Sequence, residues 1–148
     1  MVSSKGQSKG CLAIFVECKT QFYVAIKMDD RTKDSMFLAI SSLYNTLTSK
    51  LLKTFTVDWG KEFACYKQVE TEFGIPIYFA VAYAAWQRGS NENSNGLLRE
   101  FFPKKTDLAK LTLDKLAEAL VLINNLPRKC LRFKTPFDRL KHEIRKSI

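Results

Sequence analysis

Two carboxylates occupy positions in which they could bind a metal ion. Asp58 closes the alternating stretch KTFTVD, which has the pattern of a strand, and Glu92 lies among amides and cations in RGSNENSNG. Carboxylate oxygens are ligands that Mg²⁺ accepts while it keeps several waters. A metal ion held in this way activates an attacking hydroxyl and stabilises a leaving oxygen in polynucleotide chemistry. Because two-metal sites need ligands on both sides, a third acid is expected beside these two.

Each carboxylate also has a purely structural interpretation. Asp58 could cap the helix that follows its strand, because aspartate at such a turn accepts hydrogen bonds from free helix N–H groups. Glu92 could lie on a solvated helix face. The Gly, Ser and Asn residues around Glu92 are poor helix formers, so the pattern alone predicts a loop. If the segment is nevertheless helical, its spacing places four polar side chains on one face, where they could meet DNA: Arg88, Glu92, Asn95 and Arg99.

The charge of the chain favours a polyanionic partner. The formal net charge is +9, and residues 126–148 hold eight Lys and Arg against two acids, while the first 125 hold sixteen against thirteen. Nucleic-acid binding explains such a surplus, and solubility alone is the competing interpretation. Stacking on bases competes with core packing for Tyr83, Trp86, Phe101 and Phe102. The side chains that we predict to contact DNA are Lys61, Arg88, Asn91, Asn95, Arg99, Lys104, Lys105, Arg128 and Lys129.

The elements that must position these residues alternate between strands and helices. Apolar, β-branched runs joined by Lys19, Thr20 and Gln21 predict a hairpin, and helical spacing of apolar residues follows it. The order of elements predicts an α/β fold with a mixed sheet, in which functional groups gather at the carboxyl ends of strands. The predicted strands are Cys11–Cys18, Phe22–Met28, Lys53–Asp58 and Pro76–Tyr83, and the predicted helices are Thr32–Ser49, Glu62–Phe73, Leu113–Asn125 and a last one from Thr135.

Length and composition indicate one ordinary domain. A chain of 148 residues can bury a core without disulfides or a structural metal. The first ten residues have no apolar segment of the kind a signal peptide needs, and no apolar run has the length of a membrane span. The four cysteines form no CxxC pair, so we expect reduced thiols, mostly in the core. These observations predict a cytoplasmic protein without a membrane partner.

Several strings of the sequence closely resemble the catalytic core of bacterial DDE transposases of the insertion-sequence-thirty family. In order they are TVDWGKEFACY, IYFA, WQRGSNENSNGLLREFFPKKTD and LPRKCLRFKTP, and RGSNENSNGLLREFFPK is highly specific. Asp58 matches the family's second catalytic acid and Glu92 its third, with 33 residues between them. The resemblance covers nearly the whole chain. It implies a ribonuclease H-like fold of mixed sheet and flanking helices, Mg²⁺ (or Mn²⁺) as cofactor, and cleavage and joining of DNA.

The sequence also departs from the pattern of this family at its amino-terminal end. The family's first acid lies on its opening strand, where this chain has Met1, and no acid precedes Glu17. We therefore expect the first strand and the first catalytic Asp to be largely missing, together with the family's amino-terminal helix-turn-helix region. The expected organisation is a single integrase-type catalytic core over residues 1–148, a fragment with a basic helical segment at about 126–148.

The expected function is DNA transposition and integration, by a core fragment that binds DNA but is inactive alone. Whether the chain is an enzyme stays open. The alternatives are a non-catalytic DNA-binding remnant that inhibits a transposase by interacting with it, and a poorly folded pseudogene product. The expected partners are mobile-element ends, target DNA, and a second copy or a full-length transposase, at the nucleoid in a bacterial cytoplasm.

Overall fold

Five strands form two ladders in the computed structural model, which describes residues 1–4, 8–47, 50–81 and 89–147. In the first ladder β1, β2 and β3 pair antiparallel in that order. In the second, β4 and β5 pair parallel. Both orientations that a mixed sheet requires are therefore present, but they lie in separate ladders. The bounds are Val2–Ser3 for β1, Cys11–Val16 for β2, Tyr23–Met28 for β3, Phe55–Val57 for β4 and Ile77–Phe79 for β5.

The predicted hairpin is confirmed, with β2 and β3 in register from Cys11 opposite Met28 to Val16 opposite Tyr23. Its turn is held by the Glu17 carboxylate, which accepts the backbone N–H groups of Lys19 at 3.1 Å and Thr20 at 2.6 Å. Gln21 closes the turn with a φ of 58°.

Helices flank the ladders on both sides. Thr32 and Thr112 begin two of them as caps, because their hydroxyls accept backbone N–H groups three residues on, at 3.2 Å and 3.3 Å. Gly74 ends another with a φ of 65°, a left-handed conformation that favours glycine. The α-helices are α1 (Lys33–Thr46), α2 (Tyr66–Phe73), α3 (Gly89–Phe101), α4 (Leu113–Asn124) and α5 (Pro136–Ser147), with short 3₁₀ helices at Lys61–Cys65, Leu108–Lys110 and Lys129–Leu131.

Alternate residues of β2 enter two different cores, because successive side chains of a strand point to opposite faces. Leu12 and Ile14 enter the α3–α4 core, together with Leu98 of α3 and Ile123 of α4. Cys11 and Ala13 enter the α1–α2 core, whose members include Met36, Ile40 and Val69. The antiparallel ladder is therefore covered by helices on both faces.

The structure corrects several predicted boundaries. The predicted strand Lys53–Asp58 is ordered as a strand only at β4, and the run from Pro76 only at β5, because those residues alone find partners in the parallel pair. The predicted helix Glu62–Phe73 begins as a 3₁₀ turn before α2. Val2 and Ser3 form the two-residue strand β1, in the region where the first strand was expected to be largely missing. Tyr83 and Trp86 lie outside the described residues.

Two simpler expectations can be compared with the structure. All four thiols are free, but only Cys11 and Cys65 are buried, while Cys18 and Cys130 are exposed. Among the helices in the described ranges, none is long and apolar enough to cross a membrane.

Candidate active site

Asp58 directly follows β4, at the carboxyl end of the parallel pair. The pair is held by the N–H of Phe55, which donates to the Pro76 carbonyl at 3.0 Å, and by the N–H of Ala80, which donates to the Val57 carbonyl at 2.7 Å. The Asp58 side chain is half-buried, and its Oδ1 accepts the backbone N–H of Gly60 at 3.2 Å. The predicted position of Asp58 at a strand end is therefore confirmed.

Asp58 is not the cap of the helix that follows. Gly60 occupies the cap position of the 3₁₀ helix Lys61–Cys65, without a side-chain hydrogen bond. The hydrogen bond from Gly60 to Asp58 instead closes a turn within the loop. One oxygen of the carboxylate is thereby oriented by the backbone.

Trp59 fastens the end of β4 to the end of β5. Its indole Nε1 donates to the Ala80 carbonyl at 3.0 Å, and its ring stacks on Phe79 with centroids 4.6 Å apart. Tyr66 meets the same Phe79 ring edge-on at 5.2 Å. This aromatic group fixes the backbone on both sides of Asp58, although Trp59 itself is 72% exposed.

Glu62 is a second carboxylate beside Asp58, and its sequence pattern did not predict a role for it. It is buried, and its Oε1 forms an ion pair with Arg31 at 3.3 Å. A Cβ atom added at Gly60 would lie 2.7 Å from the Glu62 carboxyl carbon, so this carboxylate is seated directly against the glycine. The feature of the sequence that could have indicated this contact is the glycine between two acids in DWGKE.

Asp58 and Glu62 line one small cleft of about 160 Å³, together with Met1, Arg31 and Thr56. Carboxylate oxygens suit Mg²⁺ or Mn²⁺, so the donor type in this cleft fits the metal ion implied by the family resemblance. Within the described ranges, however, no group of three or more His, Cys, Asp or Glu side chains could hold a metal ion. The described residues of the cleft therefore provide donor atoms of the right chemical type for such an ion, but they do not provide a complete set of ligands.

The segment around Glu92 is helical, contrary to the loop that its composition predicts. It forms α3, and the side chains of Leu98 on this helix and of Phe102 directly after it are buried in the α3–α4 core. Packing of these apolar side chains outweighs the low helix propensity of Gly, Ser and Asn. The backbone of Asn91 and Glu92 belongs to this helix, but their side chains lie outside the described residues, as does all of Arg88. The pairing of Glu92 with Asp58 stays a prediction.

Arg99 makes hydrogen bonds within the protein. Its Nη2 donates to the Ser3 carbonyl at 3.1 Å, and its Nη1 lies 3.4 Å from the carbonyls of both Phe102 and Pro103. Burial lowers the pKa of the guanidinium from its ordinary value. Arg99 thereby ties the end of α3 to β1, and its predicted contact with DNA stays a prediction. On the same helix, Asn95 has a buried Oδ1 without a described hydrogen-bond partner.

The other predicted DNA-binding residues lie at three separate places. Lys61 is exposed at the start of its 3₁₀ helix, close in sequence to Asp58, and Lys104 and Lys105 are exposed in the turn after α3. Lys129 is exposed, whereas Arg128 is half-buried, and the Nε and Nη2 atoms of Arg128 are buried without a described hydrogen-bond partner. Of the aromatic candidates, Phe102 is buried in the core and Phe101 is partly exposed.

The sequence is similar to curated transposases over most of its length. It is 37% identical over 139 residues to the transposase InsI for insertion sequence element IS30A of Escherichia coli K12, covering 94% of this chain and 36% of the relative. It is 32% identical over 133 residues to the transposase for IS1086 of Cupriavidus metallidurans, covering 90% of this chain and 39% of that one. The chain thus spans just over a third of the length of these relatives. No protein-family model matches the sequence.

Solved structures with a similar fold include retroviral integrases. The catalytic core domain of BIV integrase superimposes with a TM-score of 0.72 at 20% identity, over 95% of this chain and 91% of that domain. A chain in the structure of a simian T-cell lymphotropic virus intasome in complex with PP2A regulatory subunit B56 gamma superimposes with a TM-score of 0.61 at 23% identity, over 86% of this chain and 51% of the other. These likenesses confirm the predicted ribonuclease H-like fold.

Proposed function

The chain is a homologue of the IS30-family transposases along nearly its whole length, and we propose that it is a DNA-binding catalytic-core unit for DNA transposition. The observation that carries the proposal is Asp58, held at the carboxyl end of β4 in a fold shared with integrase catalytic cores. Ligands in open α/β sheets bind outside the carboxyl ends of strands. The reaction class is metal-dependent cleavage and transfer of a DNA strand.

Transposases and integrases depend in general on a divalent metal ion. For this chain the proposed ion is Mg²⁺ or Mn²⁺, with Asp58 and Glu92 as ligands and catalytic acids. When bound, such an ion activates the attacking hydroxyl and stabilises the leaving oxygen. Glu62 is not a proposed ligand, because Arg31 already holds its carboxylate. Its part in the proposal is to fill the space against Gly60, so that the turn presents Asp58 to the cleft.

Transposases and integrases act on DNA, and the DNA contacts proposed for this chain follow the charge of its surface. Exposed Lys61, Lys104, Lys105 and Lys129 would bind phosphates as point charges. Half-buried Arg128, next to exposed Lys129, belongs to the same proposed group. Asn91, Asn95 and Arg99 on α3, together with Arg88, complete the proposed group of DNA contacts.

A second candidate function is DNA binding or transposase binding without catalysis. The specific observation in its favour is the cleft itself, in which the described carboxylates are those of Asp58 and Glu62. These described carboxylates are too few for two metal ions, since Glu62 is paired with Arg31. Such a chain would bind element ends, or join an assembly of the related transposase, and would leave strand transfer undone.

Strand transfer by the purified chain separates the two functions. The substrate is a pre-cut element end with target DNA and Mg²⁺ or Mn²⁺, and the variant is Asp58→Asn, with Asp29→Asn as the matched control on an exposed loop. Activity that Asp58→Asn abolishes and Asp29→Asn spares would establish catalysis. Product formation that Asp58→Asn leaves intact would remove Asp58 from the chemistry.

DNA affinity tests the binding part of the proposal without any turnover. The double variant Lys104→Ala/Lys105→Ala should weaken binding and reduce the salt dependence, because each phosphate contact releases counterions. Glu92→Gln in the absence of metal should bind DNA at least as well as the unaltered chain. A chain that fails to bind DNA at low salt would contradict both candidate functions.

A further inference from the structure

The connection between α4 and α5 contains a closed loop over residues 128–134, which we call the Phe133 loop. The N–H of Arg128 donates to the Lys134 carbonyl at 3.0 Å, and the N–H of Phe133 donates to the Arg128 carbonyl at 2.9 Å. Inside the loop a 3₁₀ turn buries the side chain of Leu131. Backbone hydrogen bonds and one apolar anchor therefore fix the course of this loop.

Two residues of this loop have backbone conformations that other residue types adopt more easily. Arg132 has a φ of 55° and Phe133 a φ of 61°, both in the left-handed region. For a bulky residue this region is an outlier, because the Cβ atom comes too close to the following carbonyl oxygen. Glycine has no such penalty, and asparagine tolerates these angles. The turn of the chain therefore accounts for the two angles, but it does not account for an aromatic ring at the second of them.

The ring of Phe133 is presented to solvent. Phe133 is 73% exposed, more than any other large apolar residue in the described ranges. Among the described side chains, neither another aromatic ring nor a cation packs on its face. By contrast, Phe137 is only 39% exposed, and the Nζ atom of Lys141 lies 4.3 Å from its ring centroid. Backbone outliers cluster at functional sites, so an exposed ring on such a backbone indicates a binding role.

Cations surround the ring within the loop. Lys129, Arg132 and Lys134 are all exposed, and none of the ion pairs between described residues includes them. The sequence has no Asp or Glu between Glu118 and Asp138, so no acid of this segment offsets their charge. The combination favours a ligand that carries negative charges and also a flat apolar face. A DNA strand has both, in its phosphates and its bases.

We propose that Phe133 stacks on an unpaired base of a DNA strand whose phosphates are bound by Lys129, Arg132 and Lys134. The inference rests on the proposed function in taking DNA as the ligand. A base inside a duplex has both faces covered by its neighbours, whereas an unpaired base can offer one face to an aromatic side chain. Stacking tolerates every base, because each has a π-face. The loop should therefore distinguish single-stranded or locally opened DNA from intact duplex, without selecting a base sequence.

The test measures binding of the full chain to two fluorescent probes, an oligo(dT) single strand and a blunt duplex, by fluorescence anisotropy. The variant Phe133→Gly removes the ring and suits the left-handed φ, so it should remain folded, which circular dichroism measures. Its affinity for oligo(dT) should fall by about fivefold to a hundredfold, the effect of losing one stacked base. Its affinity for the duplex should change by less than about twofold, because the phosphate contacts remain.

Further variants separate the ring from the charge of the loop. Phe133→Tyr keeps an aromatic face and should retain the affinity for oligo(dT). The matched control is Phe137→Ala, which removes the ring covered by Lys141 and should leave the affinity for both probes unchanged. The double variant Lys129→Ala/Lys134→Ala should weaken binding to both probes and reduce its salt dependence, because phosphate contacts release counterions from either kind of DNA.

The outcomes separate base stacking from other uses of the ring. A loss of affinity confined to the single strand in Phe133→Gly, and absent in Phe133→Tyr, supports the proposal. Equal loss for both probes would overturn it, as would unchanged affinity for oligo(dT).

Two other results would assign the ring elsewhere. Unfolding of Phe133→Gly would show that the ring packs in the core, and a loss of self-association with DNA binding unchanged would show that it contacts protein; either result would overturn the proposal. If the duplex still binds and the ring has no effect, only this inference fails. If neither probe binds at low salt, the proposed function fails with it.

Discussion

The antiparallel ladder and the parallel pair are held in place by different means. In the ladder, Cys11, Leu12, Ala13 and Ile14 are all buried, because helices cover both faces of β2. In the pair, each strand has three residues, and Thr56 and Tyr78 are exposed on one face. Asp58, the carboxylate with the clearest candidate chemistry, directly follows β4 of the parallel pair. Stability and chemistry are therefore assigned to different parts of this molecule, and substitutions should separate them.

The largest expected effect is in the ladder. Leu12→Ala should lower the free energy of unfolding by about 2–5 kcal/mol, because it removes a fully buried side chain and leaves a cavity. The matched control is Leu38→Ala on α1, which is 68% exposed and should change stability by less than about 0.5 kcal/mol. Urea denaturation followed by circular dichroism measures both. Equal effects would mean that the ladder does not dominate stability.

The second effect concerns the contact between the ladder and α4. The buried Asn124 side chain accepts the N–H of Tyr23 and donates to its carbonyl, both at 2.8 Å. Asn124→Ala should cost roughly 2–4 kcal/mol, because two buried backbone groups lose their partner. Asn125→Ala, at an exposed position on the same helix end, should cost much less. If the two alanine variants unfold at the same denaturant concentration, the hydrogen bonds between Asn124 and Tyr23 contribute nothing to the free energy of unfolding.

The third effect tests the turn at the parallel pair. Gly60→Ala should cost about 1–3 kcal/mol, because its Cβ would meet the Glu62 carboxylate at 2.7–2.8 Å. In a Glu62→Ala background the same change should cost less than about 0.5 kcal/mol, so a double-mutant cycle measures the coupling. Gly96→Ala on α3, with open space around it, should instead stabilise by about 0.5–1 kcal/mol. Additive effects at residues 60 and 62 would show that the two do not touch.

The smallest effect lies between the two regions, where β3 leads into α1. Hydrogen bonds from Ser35 and then Thr32 hold the pKa of Asp30 below its usual value. A folded-state pKa below the unfolded one stabilises the fold above the unfolded pKa, and this contribution is lost as pH falls through the folded pKa. Ser35→Ala should raise the pKa of Asp30 in an NMR titration. Ser42→Ala, further along α1, should leave it unchanged, and a shift of equal size would contradict the assignment.

The sequence allowed the hairpin and the strand-end position of Asp58 to be predicted, because each depends on neighbouring residues. It did not allow α3 to be assigned, since packing of Leu98 and Phe102 against distant parts of the chain decides that segment. Nor did it identify Glu62, whose role depends on Arg31, brought close by the fold from 31 residues away. The predicted lengths of the two strands in the parallel pair were too great, because the strand-like sequence pattern extends beyond the residues that pair.

The bridge between Tyr23 and Asn124 also constrains how the chain is made. The two residues are 101 positions apart in sequence. At a synthesis rate of about 5–20 residues per second, the β2–β3 hairpin emerges roughly 5–20 s before the asparagine exists. During that interval the backbone groups of Tyr23 must be satisfied by water or by another chain. Helix α4 therefore completes a sheet whose strands are made earlier, and a chain released before α4 would expose that edge.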